Sequence, residues 1–418
     1  MKSNNTATVV VDWFNSSSGQ DKFLLPLGKS LGLQATLALG PTTPPPSLCD
    51  LVDLTTCVFF IERRLRGRQK TNTPSRISLS WPVRDFAKWT PAILHSMEEI
   101  LELMGNAVWI LKPVAKSTVP PPDSKHSTEN TKSGPLVLFS GGLDSTSGVA
   151  GSRDRKNFIL CSFYTQQKTV QKSLARQLGI DPPIQWTWKE RLPRTRGRNF
   201  YYRSTLFLSI GAFTASSFGL KTILQFENGV LATAVHPAPS YRMTLHAHPR
   251  IHRIFESILN GLTAPGWSVK NPHLLLTKRQ AVERAAQEFG SKFFEIARQT
   301  QSCWAYQAPR LYGMKKTANK SCGVCVPCIV RRTALRSSTE YKWNLNHLSV
   351  RNDLRGEHFR NYFGFAERIL AQNSNAEFYR LLDGSSRESL GRDGFPDLNS
   401  THKLFRIFAA EFKNEFPS

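Results

Sequence analysis

The sequence predicts an α/β fold, a parallel sheet with helices on both faces, preceded by a small α+β domain and followed by a helical tail. Three observations carry this reading. From residue 134 to 336, apolar runs and helical stretches alternate in the βαβα order that builds a right-handed parallel sheet. Residues 1–115 mix strand-like and helix-like patterns, and residues 116–133 separate them from the sheet with Pro120, Pro121 and Pro122 among Ser, Thr, Lys and Asp, the composition of a linker. Residues 337–418 carry apolar helical faces over Phe359 to Leu370 and Phe405 to Phe412. A chain of 418 residues is comfortable for two domains and long enough to bury a sizeable core.

In chain order, Val9 to Phe14, Leu51 to Ile61 and Arg76 to Trp81 read as strands, and Val108 to Leu111 as a further one. Thr90 to Met104 reads as an amphipathic helix. Ile93, Met97, Ile100 and Leu101 fall on one face, Pro91 stands at the first turn and Gly105 at the end. Pro41 to Pro46 holds four prolines in six residues and reads as a loop. The basic run Arg63 to Arg68 reads as a solvated loop.

The stretch Pro135 to Thr146 organises the remainder. Pro135 to Phe139 is a short apolar run of buried-strand type, Gly141-Gly142 breaks it, and a helix follows with Asp144 and Ser145 in its first turn and Ser147 to Ala150 as a small packing face. A glycine loop between strand and helix gathers backbone N–H groups and the positive end of the helix dipole around one volume, which attracts phosphate. Ser140 and Ser145 add hydroxyl donors there. Asp144 is repelled by phosphate unless it holds a metal ion or a backbone donor, so it implies Mg²⁺ or loop shaping. The loop lacks the Gly-Lys-Ser/Thr of a Walker A motif and is not a GxGxxG turn.

A strand over Asn157 to Tyr164, helices over Val170 to Leu178 and Tyr202 to Phe218, and a strand over Thr222 to Phe226 continue the order. Glu227 then lies at a strand's carboxyl end, the edge of an open parallel sheet where ligands sit, together with the phosphate loop and the Arg-rich stretch Arg191 to Asn199. Within that stretch Gly197, Arg198 and Asn199 offer backbone donors and a guanidinium to a nucleotide. Val230 to Ile254 carries His236, His246, His248 and His252 and reads as a ligand-facing loop. Cys322, Cys325 and Cys328 have CxxCxxC spacing, and Cys303 supplies a fourth thiolate; four thiolates favour tetrahedral Zn²⁺, with an iron–sulfur cluster as the other reading. Cys49, Cys57 and Cys161 lie in apolar surroundings as core residues.

Fifty-five basic and 31 acidic residues leave a net charge of +24, of which +20 lies beyond residue 133, a balance that calls for a polyanion or a phosphate-rich ligand. Seven cysteines, four of them clustered, suit a reducing cytosol and a metal site better than a disulfide framework. Residues 1–14 lack a signal peptide's apolar region and no run has membrane-spanning length, so a cytoplasmic location without membrane contact is expected.

The six residues Ser140 to Ser145 match at every position the signature of the PP-loop ATP pyrophosphatases, so the sheet resembles the adenine nucleotide alpha hydrolase-like fold. Taken with Gly197-Arg198-Asn199 and Cys303, Cys322, Cys325 and Cys328, residues 135–336 resemble the QueC family of 7-cyano-7-deazaguanine synthases, and the added N-terminal residues resemble its QatC branch, which is associated with bacterial anti-phage defence. The chain departs from the family in Tyr164-Thr165-Gln166-Gln167-Lys168, where the synthases have Tyr-Gly-Gln-Arg-His, and in the His/Arg stretch after Glu227. The resemblance implies ATP, Mg²⁺ and Zn²⁺, with Ser140, Gly141, Gly142, Leu143, Asp144, Ser145, Gly197, Arg198 and Asn199 at the nucleotide and Asp144, Ser145 and Glu227 in catalysis. It implies adenylation of 7-carboxy-7-deazaguanine, then amide formation with an amine from a partner protein's N-terminus. A nitrile synthase using ammonia, a tRNA-modifying PP-loop enzyme suggested by the charge, and a non-enzymatic nucleotide-binding subunit are the alternatives.

Overall fold

The computed structural model describes residues 6–12, 22–26, 32–65, 75–105, 107–116, 125–127, 132–163, 167–188, 201–235, 245–304, 321–335, 341–343, 354–382 and 384–417. The chain begins with strands β1 (Thr6–Asp12), β2 (Lys22–Pro26) and β3 (Leu33–Ala35), followed by helix α1 (Pro46–Leu65), β4 (Ser75–Val83), α2 (Pro91–Met104) and β5 (Ala107–Ala115). β2, β1, β4 and β5 form, in that order, a four-stranded sheet in which every pairing is parallel. The expected α2 is present: Thr90 caps its start by accepting the Ile93 N–H at 3.4 Å, and Pro91 occupies its first turn.

Leu51 to Ile61, expected as a strand, is the middle of α1. Every residue from Leu48 to Glu62 is buried, so no polar stripe marks a helical period, and the Val/Phe/Ile content imitates a strand. Several of the polar groups it buries are met from outside the helix. Asp50 accepts the backbone N–H groups of Arg84 and Asp85 at 3.0 and 3.1 Å, Thr55 Oγ1 lies 2.6 Å from Ser209 Oγ, and Glu62 accepts the N–H groups of Tyr201 and Tyr202 at 2.8 and 3.2 Å.

The second sheet uses β6 (Leu136–Leu138), α3 (Leu143–Ala150), β7 (Ile159–Phe163), α4 (Lys168–Gln177), β8 (Ile184–Trp188), α5 (Arg203–Ser217), β9 (Thr222–Leu224), α6 (Gly229–Ala232), α7 (Pro249–Leu262) and β10 (Ser268–Lys270). Its order is β10-β9-β6-β7-β8-β3, parallel throughout except for the antiparallel edge strand β3. From β6 the chain builds outward through β7 to β8 and then returns to the other side at β9, so the gap between β6 and β9 is the switch point of a doubly wound sheet. Residues expected to form a separate N-terminal domain therefore contribute a strand to this sheet. They also share its core: Trp81, Met97 and Trp109 belong to one buried cluster with Leu206, Phe213 and Ile223. The expected linker is docked where it is described, with Leu39 N–H on Lys125 O and Ser127 N–H on Leu39 O, both at 2.7 Å.

Helices α8 (Lys278–Phe289), α9 (Phe293–Gln299) and α10 (Val326–Leu335) close the face around α3, and α11 (Leu354–Leu370), α12 (Asn375–Leu381), α13 (Gly384–Ser389) and α14 (Leu398–Glu415) form the expected helical tail. The tail packs Phe365, Phe405, Phe408 and Phe412 into one cluster with the four late cysteines. Among the described residues, no helix is long and apolar enough to cross a membrane.

Candidate active site and metal centre

The glycine loop follows β6 as expected. Gly141 has φ +75°, a conformation that favours glycine, and Gly142 leads into α3 without a capping side chain, so the first backbone N–H groups of α3 lack a cap from their own N-terminal residue. Local hydroxyls hold the loop: Ser140 Oγ accepts the Gly142 N–H and lies near Ser145 Oγ, both at 3.1 Å, while Ser145 Oγ donates to Gly142 O at 3.2 Å. Gln171 Nε2 donates to Ser140 O at 3.1 Å and Gln171 Oε1 accepts from Gln185 Nε2 at 2.8 Å, which ties the loop to α4 and β8. α3 lies so close to the end of β9 that a Cβ on Gly148 would stand 2.0 Å from the Phe226 ring.

Asp144 and Glu227 meet across the switch point. Asn228 bridges them, its Nδ2 donating to Asp144 Oδ1 at 3.1 Å and to Glu227 Oε1 at 2.8 Å, and its N–H reaches Asp144 Oδ1 at 3.3 Å. Lys278 Nζ makes a buried ion pair with Asp144 Oδ2. His246 Nε2 lies 3.0 Å from Glu227 Oε2. The two carboxyls diverge in acidity. Burial opposes the Asp144 charge, but the Lys278 ammonium and the hydrogen bonds from Lys278 and Asn228 outweigh it and hold Asp144 below its ordinary value of 3.8. Burial and then the Asp144 charge push Glu227 above its ordinary 4.5, against the pull of His246 and Lys278. One carboxyl held ionised beside another biased toward its proton is the arrangement that divides charge-holding from proton transfer.

The expected residues are met unevenly. Ser140 to Ser145 and Glu227 converge; Gly197, Arg198 and Asn199 lie outside the described residues. The expected loop over Val230 to Ile254 is corrected at its two ends, while residues 236–244, His236 among them, lie outside the described residues: α6 opens it, and from Pro249 it is helix α7, with His248 as the cap that accepts the Arg250 N–H at 3.3 Å and His252 buried against Gln225 Oε1 at 3.0 Å. Proline at the first helical position after a capping residue was the available signal. Lys278 was missed. Thr277 and Gln280 form a capping box that starts α8, so the sequence could have placed Lys278 in a helix's first turn but not beside Asp144.

Cys303, Cys322, Cys325 and Cys328 come together as expected, their sulfurs all within 4.8 Å of one another and buried. Cys322 and Cys328 Sγ are 3.9 Å apart, and Cys325 and Cys303 Sγ are 4.0 Å apart. Those separations are far beyond a disulfide and close to the edge of about 3.8 Å that a tetrahedron with metal–sulfur bonds of about 2.3 Å requires. Backbone N–H groups of Val324 and Cys325 donate to Cys322 Sγ at 3.4 Å, and the Cys322 N–H to Cys303 Sγ at 3.2 Å, bonds that stabilise thiolate. Hydrogen bonds from the other three sulfurs lower the pKa of Cys303, while burial pushes those of Cys325 and Cys328 up, so a metal ion such as zinc displaces protons on binding. The cluster sits against the phosphate loop. Gln301 N–H donates to Gly141 O at 3.1 Å and Ser302 Oγ accepts the Leu143 N–H at 3.3 Å, immediately before Cys303.

No protein-family model, curated protein or solved structure matches this chain. Fold and site together define a doubly wound α/β protein with a glycine loop at its switch point and, beside it, a buried four-cysteine cluster that could hold a metal ion.

Proposed function

We propose that the protein is an ATP-dependent ligase of the QueC-like PP-loop type, adenylating the carboxylate of 7-carboxy-7-deazaguanine and passing the acyl group to an amine, with a partner protein's N-terminus as the acceptor. The observation that carries the reading is the meeting of the Ser140 to Ser145 loop, Asp144, Glu227 and Lys278 at the carboxyl edge between β6 and β9. ATP is the substrate whose phosphates the loop N–H groups and the hydroxyls of Ser140 and Ser145 receive. Mg²⁺ suits the oxygen-rich pair Asp144 and Glu227, and when bound it neutralises charge on the phosphates. Zinc is the metal we assign to the four cysteines, as a structural ion with no open position.

The substrate carboxylate oxygen attacks the α-phosphorus, the bond to the bridging oxygen breaks, and pyrophosphate leaves with that electron pair. Lys278 and the loop donors stabilise charge on the phosphates. The amine nitrogen then attacks the acyl carbon, AMP departs, and the proton lost by nitrogen goes to Glu227, whose raised pKa and contact with His246 suit it to accept and pass on a proton.

The test is pyrophosphate release from ATP and Mg²⁺ by the metal-loaded protein, with and without 7-carboxy-7-deazaguanine. Release that depends on the acid is expected, followed by intact-mass detection of an acylated partner. Free 7-cyano-7-deazaguanine formed from ammonia would assign the protein to the nitrile synthases instead. A second reading, a tRNA-modifying enzyme, is favoured by charge: residues 134–336 hold 29 basic and 9 acidic side chains. It predicts release that needs tRNA and falls steeply with salt.

A further inference from the structure

Between the two sites described above runs one short segment, and both of its sides are held. We propose that Ser302 is a positioning residue through which metal occupancy at the cysteine cluster sets the order of the phosphate loop. On one side, Arg331 of α10 donates to Thr300 O at 3.0 Å, Ala297 O at 2.9 Å and Arg298 O at 3.1 Å, and it stands three residues beyond Cys328 on the same helix. On the other side, Gln301 and Ser302 bond the backbone of Gly141 and Leu143. Cys303 follows at once, so a metal ion bound to Cys303 and Cys328 ties that end of the segment 300–303 to α10, as Arg331 ties the Thr300 end. With the metal in place Ser302 cannot shift without moving a ligand. Without it, the segment keeps the Arg331 bonds, the Cys322 N–H on Cys303 Sγ and its own contacts with the loop, but four buried sulfurs lose the charge that holds them together and the Cys303 end loses its tie to α10.

The Leu143 N–H is the first of α3, one of the donors that a phosphate would use. Ser302 Oγ accepts it, and a hydroxyl that accepts one hydrogen bond still has its own hydrogen to donate, so Ser302 can hold Leu143 in register and offer a donor to the same anion. A Cβ on Gly142 would stand 3.2 Å from Ser302 Oγ, which places the hydroxyl against the loop's turn. The consequence is a linkage. If the metal raises the loop's affinity for an anion by some factor, the anion raises metal affinity by the same factor, and about fivefold or more is the range expected of such coupling.

The anion half of this inference rests on the proposed ATP reading, and the experiment separates the two. The probe is α,β-methylene-ATP with Mg²⁺, which cannot be split at the α–β bond. Affinity is measured by calorimetry on metal-loaded and chelator-stripped protein, and hydrogen exchange is followed in the peptide spanning residues 140–146. Wild-type protein is expected to bind the analogue at least about fivefold more tightly when loaded, with slower exchange in that peptide. In Ser302→Ala, affinity and exchange are expected to lose their dependence on the metal, and Ser302→Thr is expected to keep it. If stripped protein unfolds, metal affinity of the folded protein is read instead, in a strong chelator that fixes free zinc, with and without the analogue. The proposal is overturned if Ser302→Ala retains the wild-type dependence, or if the analogue leaves metal affinity unchanged although it binds. Failure of the analogue to bind in either state, with loop exchange still following the metal in wild type and not in Ser302→Ala, sinks the ATP reading and leaves the coupling standing.

Discussion

Lys278 and Asp144 are the pair on which the site's electrostatics turn, because both side chains are buried and each is the other's counter-charge. Lys278→Ala strands a buried carboxylate, a change that costs on the order of 3–5 kcal/mol, measurable as a fall in the urea midpoint. The double variant Asp144→Asn, Lys278→Met is expected to recover most of that stability while releasing no pyrophosphate, a non-additivity that a double-mutant cycle reads directly. Asp144 itself adds stability above its ordinary value of 3.8 and loses it only as pH falls through its lower folded value, so the pair persists through mild acid. Glu227 has the opposite sign: its proton is retained above 4.5. On the proposed ligase reading, acyl transfer is therefore expected to rise with pH as Glu227 ionises, and Glu227→Gln to remove that limb and slow the step about 10²–10⁴-fold. At this scale the sequence was readable where residues are contiguous. Ser140 to Ser145 and the four cysteines carry their chemistry in their spacing, whereas Lys278 lies 134 positions from Asp144, and only the folded sheet brings them together.

α3 shows how closely an element can be fitted to the site it supports. Its small residues let it approach Phe226, and at Gly148 there is no room for a methyl group. Gly148→Ala is expected to push α3 off β9, with a loss of about 1–3 kcal/mol in unfolding free energy and a rise in KM for ATP, because Asp144 rides on the same helix. β6, the loop and α3 were legible from the glycine pair that breaks an apolar run before a helix, although α3 is buried throughout; α2 keeps a helical period and a cap, and β4 and β5 alternate apolar residues with others. α1 was not. A helix buried all round presents only apolar composition, and β-branched and aromatic residues then weigh toward a strand. Pro46 at its start and its length of 20 residues were the evidence against one.

Across the whole molecule the charge is unevenly laid out. The tail, residues 337–418, is balanced with 11 basic and 11 acidic residues, so the excess belongs to the residues around the sheet and the tail serves packing. The fold is also acid-sensitive in a way the tail and sheet share. Burial depresses His252 to about 3 and His273 and His358 to about 4, so all three are neutral when folded and bind protons on unfolding below 6.5. Each contributes stability that is complete above 6.5 and declines as pH falls, by at most about 2 kcal/mol between pH 7 and pH 5. The urea midpoint at pH 5 is expected to lie clearly below that at pH 7.5, and equal midpoints would refute the burial of these rings. The antiparallel edge strand β3 reaches further still. Leu33 pairs with Trp188, 155 positions later. At about 5–20 residues per second a ribosome needs roughly 8–31 s to deliver that partner, and until then β3 and the apolar helix after it wait on the emerging chain without the surface they are built to cover. The first third of this protein is thus made early but finished late, because one three-residue strand of it belongs to a sheet whose other strands come later in the chain.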